Sequence, residues 1–445
     1  MVTNTNRRKF ISTVGATGIL ALAGCTGGDG DDGGDGGDGS DGGDGGDGSD
    51  GGDGGDSGGS SGGGGGGRTL KMGMVIAETG SLSSVGVPLR DVGLLPRIQI
   101  NDADSNISAE VSVKDSQTDP QQSISAAKSL ANTGYPEVMG PLLSEATIQV
   151  TNEVYRPRQI VCCSPGSTSP RLTSLEDNGY VFRTISSDAF QGRALAQTAQ
   201  DRIGASSASV IYVNDAYGQS LNETFSTTFE EGGGEIQAQV AVGQNEQSYV
   251  SQLEKAMSGD PDALFVVAFP EGGTQLLRNF YSNYSRDTPI IAPDSLRDPE
   301  LPGNVGEPLT NITGVSSVAA GPGKDFVADL FTDEFDKDVP PFYSYVYDAS
   351  AVLLLANAAA GANDGQQIRD QMQNVANPGG EEVTPENLPA GIQMAAEGTT
   401  IQYRGASSNV DFDENGDMKR VNYAVYVYNE DGSIENIDTI EYAAE

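Results

Sequence analysis

The chain has 445 residues, 63 acidic against 25 basic, a net charge of −38, three cysteines, no tryptophan and no histidine. Without histidine there is no Ser-His-Asp or Cys-His nucleophile and no histidine-ligated zinc or iron. A polyanion this strong is also a poor partner for nucleic acid, which needs a basic face.

The first element is "NRRKFIS" (Asn6 to Ser12), followed by an apolar run from Ile11 to Gly24. That run is shorter than the roughly 20 residues a membrane span needs. A basic start, a short apolar stretch and small residues before a boundary describe an export signal. With Arg7 and Arg8 it resembles a twin-arginine signal peptide, and "LAGC" ending at Cys25 resembles a lipobox, which implies cleavage before Cys25 and a lipid on its thiol. The tract from Thr26 to Gly67 holds 11 aspartates, no base and no apolar side chain, so it cannot offset the entropy of folding. A calcium β-roll would need an apolar residue in each turn. As a flexible tether its span is about 35–40 Å. Residues 1–25 are thus expected to be signal and 26–67 tether.

Beyond the tether the chain still carries about −30 of that charge. Such self-repulsion is costly in dilute buffer but is screened in molar salt, where the Debye length is about 3 Å. A halophilic source is expected. Short apolar runs at 70–77, 109–116, 136–140 and 159–163 alternate with helix-like segments, notably Asp119 to Asn132 with Pro120 in its first turn. A second series, 209–215, 235–242, 262–268 and 289–293, alternates with helices near 218–231, 247–257 and 273–283. Repeated βα units mean parallel sheets with helices on both faces, and two series suggest two Rossmann-like α/β lobes. Pro96 is expected to kink or shorten the first helix. Cys162 and Cys163, adjacent in "QIVCC", read as buried thiols at a strand end.

Ligands of such sheets sit beyond the carboxyl ends of strands. Those ends read "AETGSLSSVG", "GPLLSEAT", "SPGSTSP", "NDAYG", "AFPEGG" and "APDSL": glycine, hydroxyls and a few carboxylates, with no phosphate-loop lysine. Taken alone, Ser144 could cap a helix, Thr168 could be turn chemistry, Asp294 a solvated acid, and Tyr347 a packed core residue. "DFDENGD" (Asp411 to Asp417) starts like a calcium loop, but Asn422 stands where a bidentate glutamate is needed, so a turn between strands is expected. Four Asn-x-Ser/Thr sequons begin at Asn106, Asn222, Asn283 and Asn311. No metal or cofactor is expected.

In order along the chain, "TGSLSSVG", "KDSQTDPQQSISAAKSL", "GPLLSEAT", "CSPGSTSPRLT", "FRTISSDAFQGRALA", "NDAYGQSL", "YDASAVLLLA" and "VDFDENGDMKR" resemble the type I solute-binding proteins of ABC importers, specifically the branched-chain amino acid receptor family. The resemblance spans nearly all of Lys71 to Asn429. It implies two lobes joined by three crossings near Ser187, Val318 and Asp417, one lobe from 68–187 plus 319–417 and the other from 188–318 plus 418–445. It also implies a cleft closing on a free amino acid, with Ser144, Gly166, Thr168, Tyr217 and Asp294 as ligand contacts and Phe269 and Tyr347 lining the side-chain pocket. Two departures concern specificity. Val85 stands where many relatives carry an aromatic, enlarging the pocket, and Glu145 stands where a small hydroxyl is common, adding charge near the mouth. The implied protein is a monomeric receptor on the outer face of the membrane, held by its lipid. It would deliver a branched-chain or other aliphatic amino acid to a permease and ATPase. A surface sensor of an amino acid, amide or urea with a signalling partner is the alternative.

Overall fold

The computed structural model describes residues 67–443. The signal, Arg7, Arg8, Cys25 and the tether up to residue 66 lie outside the described residues. The first sheet is wholly parallel, in the order β2-β1-β3-β4-β5. Its strands are β1 (Arg68–Ile76), β2 (Ile107–Asp115), β3 (Glu137–Met139), β4 (Val161–Ser164) and β5 (Val181–Arg183). Interleaved with them run α1 (Ser83–Asp102), α2 (Pro120–Asn132), α3 (Ser144–Val150) and the single turn α4 (Arg156–Arg158). Asp119 caps α2 by accepting the Gln122 N–H at 2.8 Å, with Pro120 at the first helical position. Both faces of this sheet are covered, so β3 and β4 are buried at every position.

After β5 the chain enters a second sheet of order β14-β13-β10-β9-β8-β6-β7. It contains α5 (Asp188–Thr198), β6 (Ser207–Val213), α6 (Ala216–Glu231), β7 (Glu235–Val242), α7 (Val250–Ala256), β8 (Ala263–Val267) and α8 (Pro270–Asn283). Then follow β9 (Ile290–Ala292), α9 (Leu301–Val305) and β10 (Ile312–Ser317). The chain then contributes α10 (Lys324–Phe335), α11 (Tyr343–Ala360), α12 (Gly365–Ala376) and α13 (Leu388–Ala396), with a small parallel pair β11 (Glu381–Val383) and β12 (Ile401–Tyr403). α11 packs on β1, β3 and β4 and against α1. It is apolar and buried at most positions. Finally β13 (Arg420–Tyr428) and β14 (Ile434–Ala443) return antiparallel to the edge of the second sheet.

The first helix is not shortened: α1 runs 20 residues with Pro88 and Pro96 inside it. Leu89, Val92, Leu95 and Ile100 are buried along it. Each such side chain contributes about 1.5–3 kcal/mol, together enough to outweigh the roughly 3 kcal/mol of an interior proline. Cys162 and Cys163 are free and buried, and burial pushes both thiols up. The segment 411–417 closes as a turn: Asp413 Oδ1 accepts the Asn415 and Asp417 N–H groups, and Phe412 pairs antiparallel with Met418.

Candidate functional site

The carboxyl ends of the two sheets face each other across a cavity of about 480 Å³. Ser144, Gly166, Thr168, Tyr217, Phe269 and Asp294 all line it. The first three come from the loops after β3 and β4. Ser144 is the first residue of α3 and makes no capping bond. Instead its Oγ accepts the Ser169 N–H at 3.2 Å, which leaves the hydroxyl proton free to be donated into the cavity. Gly166 is needed for the close approach of these loops, since a Cβ there would meet the Leu142 carbonyl oxygen at 3.1 Å. Thr168 Oγ1 donates to Asp188 Oδ2 at 2.9 Å, and the Asp188 N–H returns a bond to the Thr168 carbonyl.

The second sheet supplies the opposite wall. Asp215 caps α6 through the Gly218 N–H and so presents Tyr217 on the first turn. The Tyr217 ring stacks on Phe269 at 5.6 Å, and its hydroxyl meets Ser295 Oγ at 3.0 Å. Asp294 follows β9 on a single 3₁₀ turn and accepts from Ser317 Oγ at 3.3 Å. It is 5 % exposed. Burial pushes the Asp294 carboxyl above its usual range. Burial, reinforced by the Asp294 charge, pushes Asp188 well above it too. Asp188 Oδ1 is buried without a hydrogen-bond partner among the described residues. Asp188 does not itself line the cavity but lies behind Thr168, close enough to Asp294 for the two charges to oppose each other in a desolvated setting where an unpaired charge is costly.

Elsewhere the walls are apolar, including Leu82, Val85, Leu89, Leu142 and Phe342, while Arg297, Asp298, Glu300 and Asp338 line its charged part. The two halves already touch beside the site: Ser169 Oγ lies 2.8 Å from Ser220 Oγ, and Arg171 Nη2 donates to Gln219 Oε1 at 2.9 Å.

One expectation fails. Tyr347 is fully buried outside the cavity, its hydroxyl donating to Gln99 of α1. Because α11 is buried almost all round, its sequence carries no stripe to show which side faces the cleft. The aromatic of this segment that reaches the cavity is Phe342, just before α11 and held at φ 63°. Glu145 does not line the cavity; its carboxylate accepts from Gln149 one turn along α3, and its charge is felt at Asp215 at the head of α6. Asp188 was missed because an acid directly after the N-cap Ser187 reads as ordinary dipole complementation.

Arg183, at the end of β5, was also missed. It is 1 % exposed and donates through Nη1 to the carbonyls of Ser167, Thr168 and Ser169 at 2.9–3.2 Å. Its Nε and Nη2 grip both oxygens of Asp417 at 2.6 and 2.7 Å. The loop carrying Gly166 and Thr168 is thus tied to the segment that re-enters the second sheet. Among the described residues no group of three or more potential metal-ligating side chains converges.

A family model described as "Periplasmic binding protein" matches residues 69–398. A Leu-, Ile-, Val-, Thr- and Ala-binding protein of Pseudomonas aeruginosa is 22 % identical, over 82 % of this chain and 91 % of its own length. A chemotactic signal transduction system substrate-binding protein, BasB of Halobacterium salinarum, is 22 % identical over 67 % of this chain and 71 % of its own. The crystal structure of a leucine binding protein, LivK of Thermotoga maritima, superposes with a TM-score of 0.71 at 21 % identity, covering 83 % of this chain and 98 % of that one. The chain therefore belongs to the periplasmic binding protein family, with the type I fold, and is a solute-binding protein rather than an enzyme.

Proposed function

We propose that this protein captures a free α-amino acid with an apolar side chain outside the cell and hands it to a membrane permease of the ABC type. The observation that carries the reading is Asp294 on the cavity wall, with Asp188 behind Thr168 and no lysine or arginine among the hydrogen-bond partners of either. An ammonium group would pair with Asp294 and the free lone pairs of Thr168 Oγ1, with the Asp188 charge adding to the attraction. The Ser144 hydroxyl and the backbone N–H groups near Thr168 would take the α-carboxylate. Tyr217 and Phe269 would cover the ligand. In this reading the lobes, 68–187 with 319–417 and 188–318 with 418–445, close about the crossings near Ser187, Val318 and Asp417.

Calorimetry in molar KCl with L-phenylalanine, L-leucine and their des-amino analogues tests it. The amino acids should bind at least tenfold more tightly. Because burial holds Asp294 and Asp188 above the usual carboxylate range, an arriving ammonium lowers their pKa. Binding should therefore release protons between the raised value and the lowered one, and affinity should fall as pH drops through that window. Equal affinity for the des-amino acids, with no proton release, refutes the reading.

The lipid anchor belongs to the same proposal, with Cys25 as its attachment point, Arg7 and Arg8 as the export signal and the tether holding a monomeric receptor off the membrane. Replacing Cys25 by serine should release the protein from the membrane fraction or leave its signal uncut; a variant still wholly membrane-bound argues against lipidation. The similarity to BasB supports a second reading, in which the closed form is presented to a signalling partner. Uptake of the bound amino acid in cells with and without this gene separates the two.

A further inference from the structure

We propose that Tyr423, Ser186 and Ser317 form a directed chain of hydroxyls that ties Asp294 to the three passages between the two halves, and that they act as positioning residues for closure. The proposal rests on the reading of Asp294 as the ligand acid. The chain passes between the two halves after β5, after β10 and before β13. Ser186 follows β5, Ser317 ends β10 and Tyr423 lies in β13, so one hydroxyl stands at or close to each passage. Ser317 and Tyr423 are directly opposed in the antiparallel β10–β13 pair, which puts their side chains on one face.

The hydrogen bonds run in one direction. Ser317 Oγ donates to Asp294 Oδ2 at 3.3 Å. A hydroxyl has a single proton, so Ser186 must be the donor in its 3.0 Å contact with Ser317 Oγ. Ser186 Oγ in turn accepts from the Tyr423 hydroxyl at 2.9 Å. The longer alternative for that hydroxyl, the Ser187 carbonyl at 3.3 Å, belongs to the same first passage. Three protons thus point toward a carboxylate on the cleft wall.

Asp294 lines the cleft cavity, whereas Ser317, Ser186 and Tyr423 do not. All three are buried. The passages enclose beside Ser186 and Ser317 a cavity of about 10 Å³, room for roughly one water. With bulk solvent excluded, each link polarises the next, and a missing link leaves a buried polar group unpaired. A bound ammonium keeps Asp294 ionised and fixed in place, and a charged acceptor makes the stronger hydrogen bond. The chain of hydroxyls then holds the passages in the arrangement where Ser169 and Ser220 meet across the cleft.

Calorimetry and small-angle scattering on the full chain in molar KCl, with L-leucine and L-phenylalanine as probes, provide the test. Y423F and S317A should each weaken binding at least about fivefold, and their saturated forms should contract less than wild type. The double variant should be within about twofold of S317A, because one broken link already interrupts the chain. S317T keeps the hydroxyl and should bind and contract like wild type. Thermal melts show which variants are folded; if S317A is not, Y423F, which removes one oxygen only, and S317T carry the test. Wild-type affinity and contraction in Y423F overturn the proposal while leaving the amino-acid reading intact. Single losses that multiply in the double variant, or an S317T as weak as S317A, overturn it in the same way. A wild type that binds neither probe removes the amino-acid reading and the proposal with it.

Discussion

Asp294→Asn should lower amino-acid affinity by at least about 30-fold, toward several thousand-fold, corresponding to roughly 2–5 kcal/mol for removing one partner of a buried charge pair. The asparagine side chain can keep the hydrogen bond from Ser317, so the shape of the site should survive while its charge does not. Stability should move the other way. Burial raises the Asp294 pKa, so the folded state holds its proton more tightly than the unfolded one. The ionised carboxylate therefore costs stability once pH rises through the folded pKa, and below the unfolded value that cost is absent. The variant should melt at the same or a higher temperature than wild type at neutral pH, and the difference should vanish on acidification. Loss of binding together with a gain in stability would mark Asp294 as a functional acid kept at the expense of the fold. Unchanged affinity, measured by calorimetry in molar salt, would remove it from the site.

The parts of the molecule that were legible in its sequence are those whose physics is local. β1 to β4 and β6 to β9 are short apolar runs bounded by turn residues, and their helices begin at recognisable caps such as Asp119 and Asp215. Six cavity residues followed from loop position at the carboxyl ends of strands, together with the family resemblance. What stayed hidden depends on tertiary context. β13 and β14 pair antiparallel at a sheet edge, and β13 takes its other partner from β10, more than a hundred residues earlier. α11 is buried all round, which misdirected the reading of Tyr347 and concealed Phe342. Asp188 has the sequence signature of a first-turn helix acid; only burial and a missing partner distinguish it.

Arg183 is the clearest case of a residue whose role exists only in three dimensions, and its removal is expected to have the second large effect. Arg183→Met leaves the Asp417 carboxylate short of both its guanidinium bonds and frees the carbonyls of Ser167, Thr168 and Ser169. Breaking one side of a buried pair costs about 3–5 kcal/mol, which should lower the melting temperature by several degrees. The loop that carries Gly166 and Thr168 loses its anchor at the same time, so ligand affinity should fall although Arg183 itself is not expected to touch ligand. These two consequences separate in a double variant. Arg183→Met with Asp417→Leu replaces the ion pair by apolar volume, which is often neutral for stability, but it restores no donor to the three carbonyls. The double variant should recover much of the lost melting temperature while its affinity stays low. Recovery of both would show that the loop needs no anchor and that Arg183 serves the fold alone. Recovery of stability without affinity identifies Arg183 as a positioning residue, coupling the ligand loop after β4 to the segment at Asp417 through which the chain re-enters the second sheet.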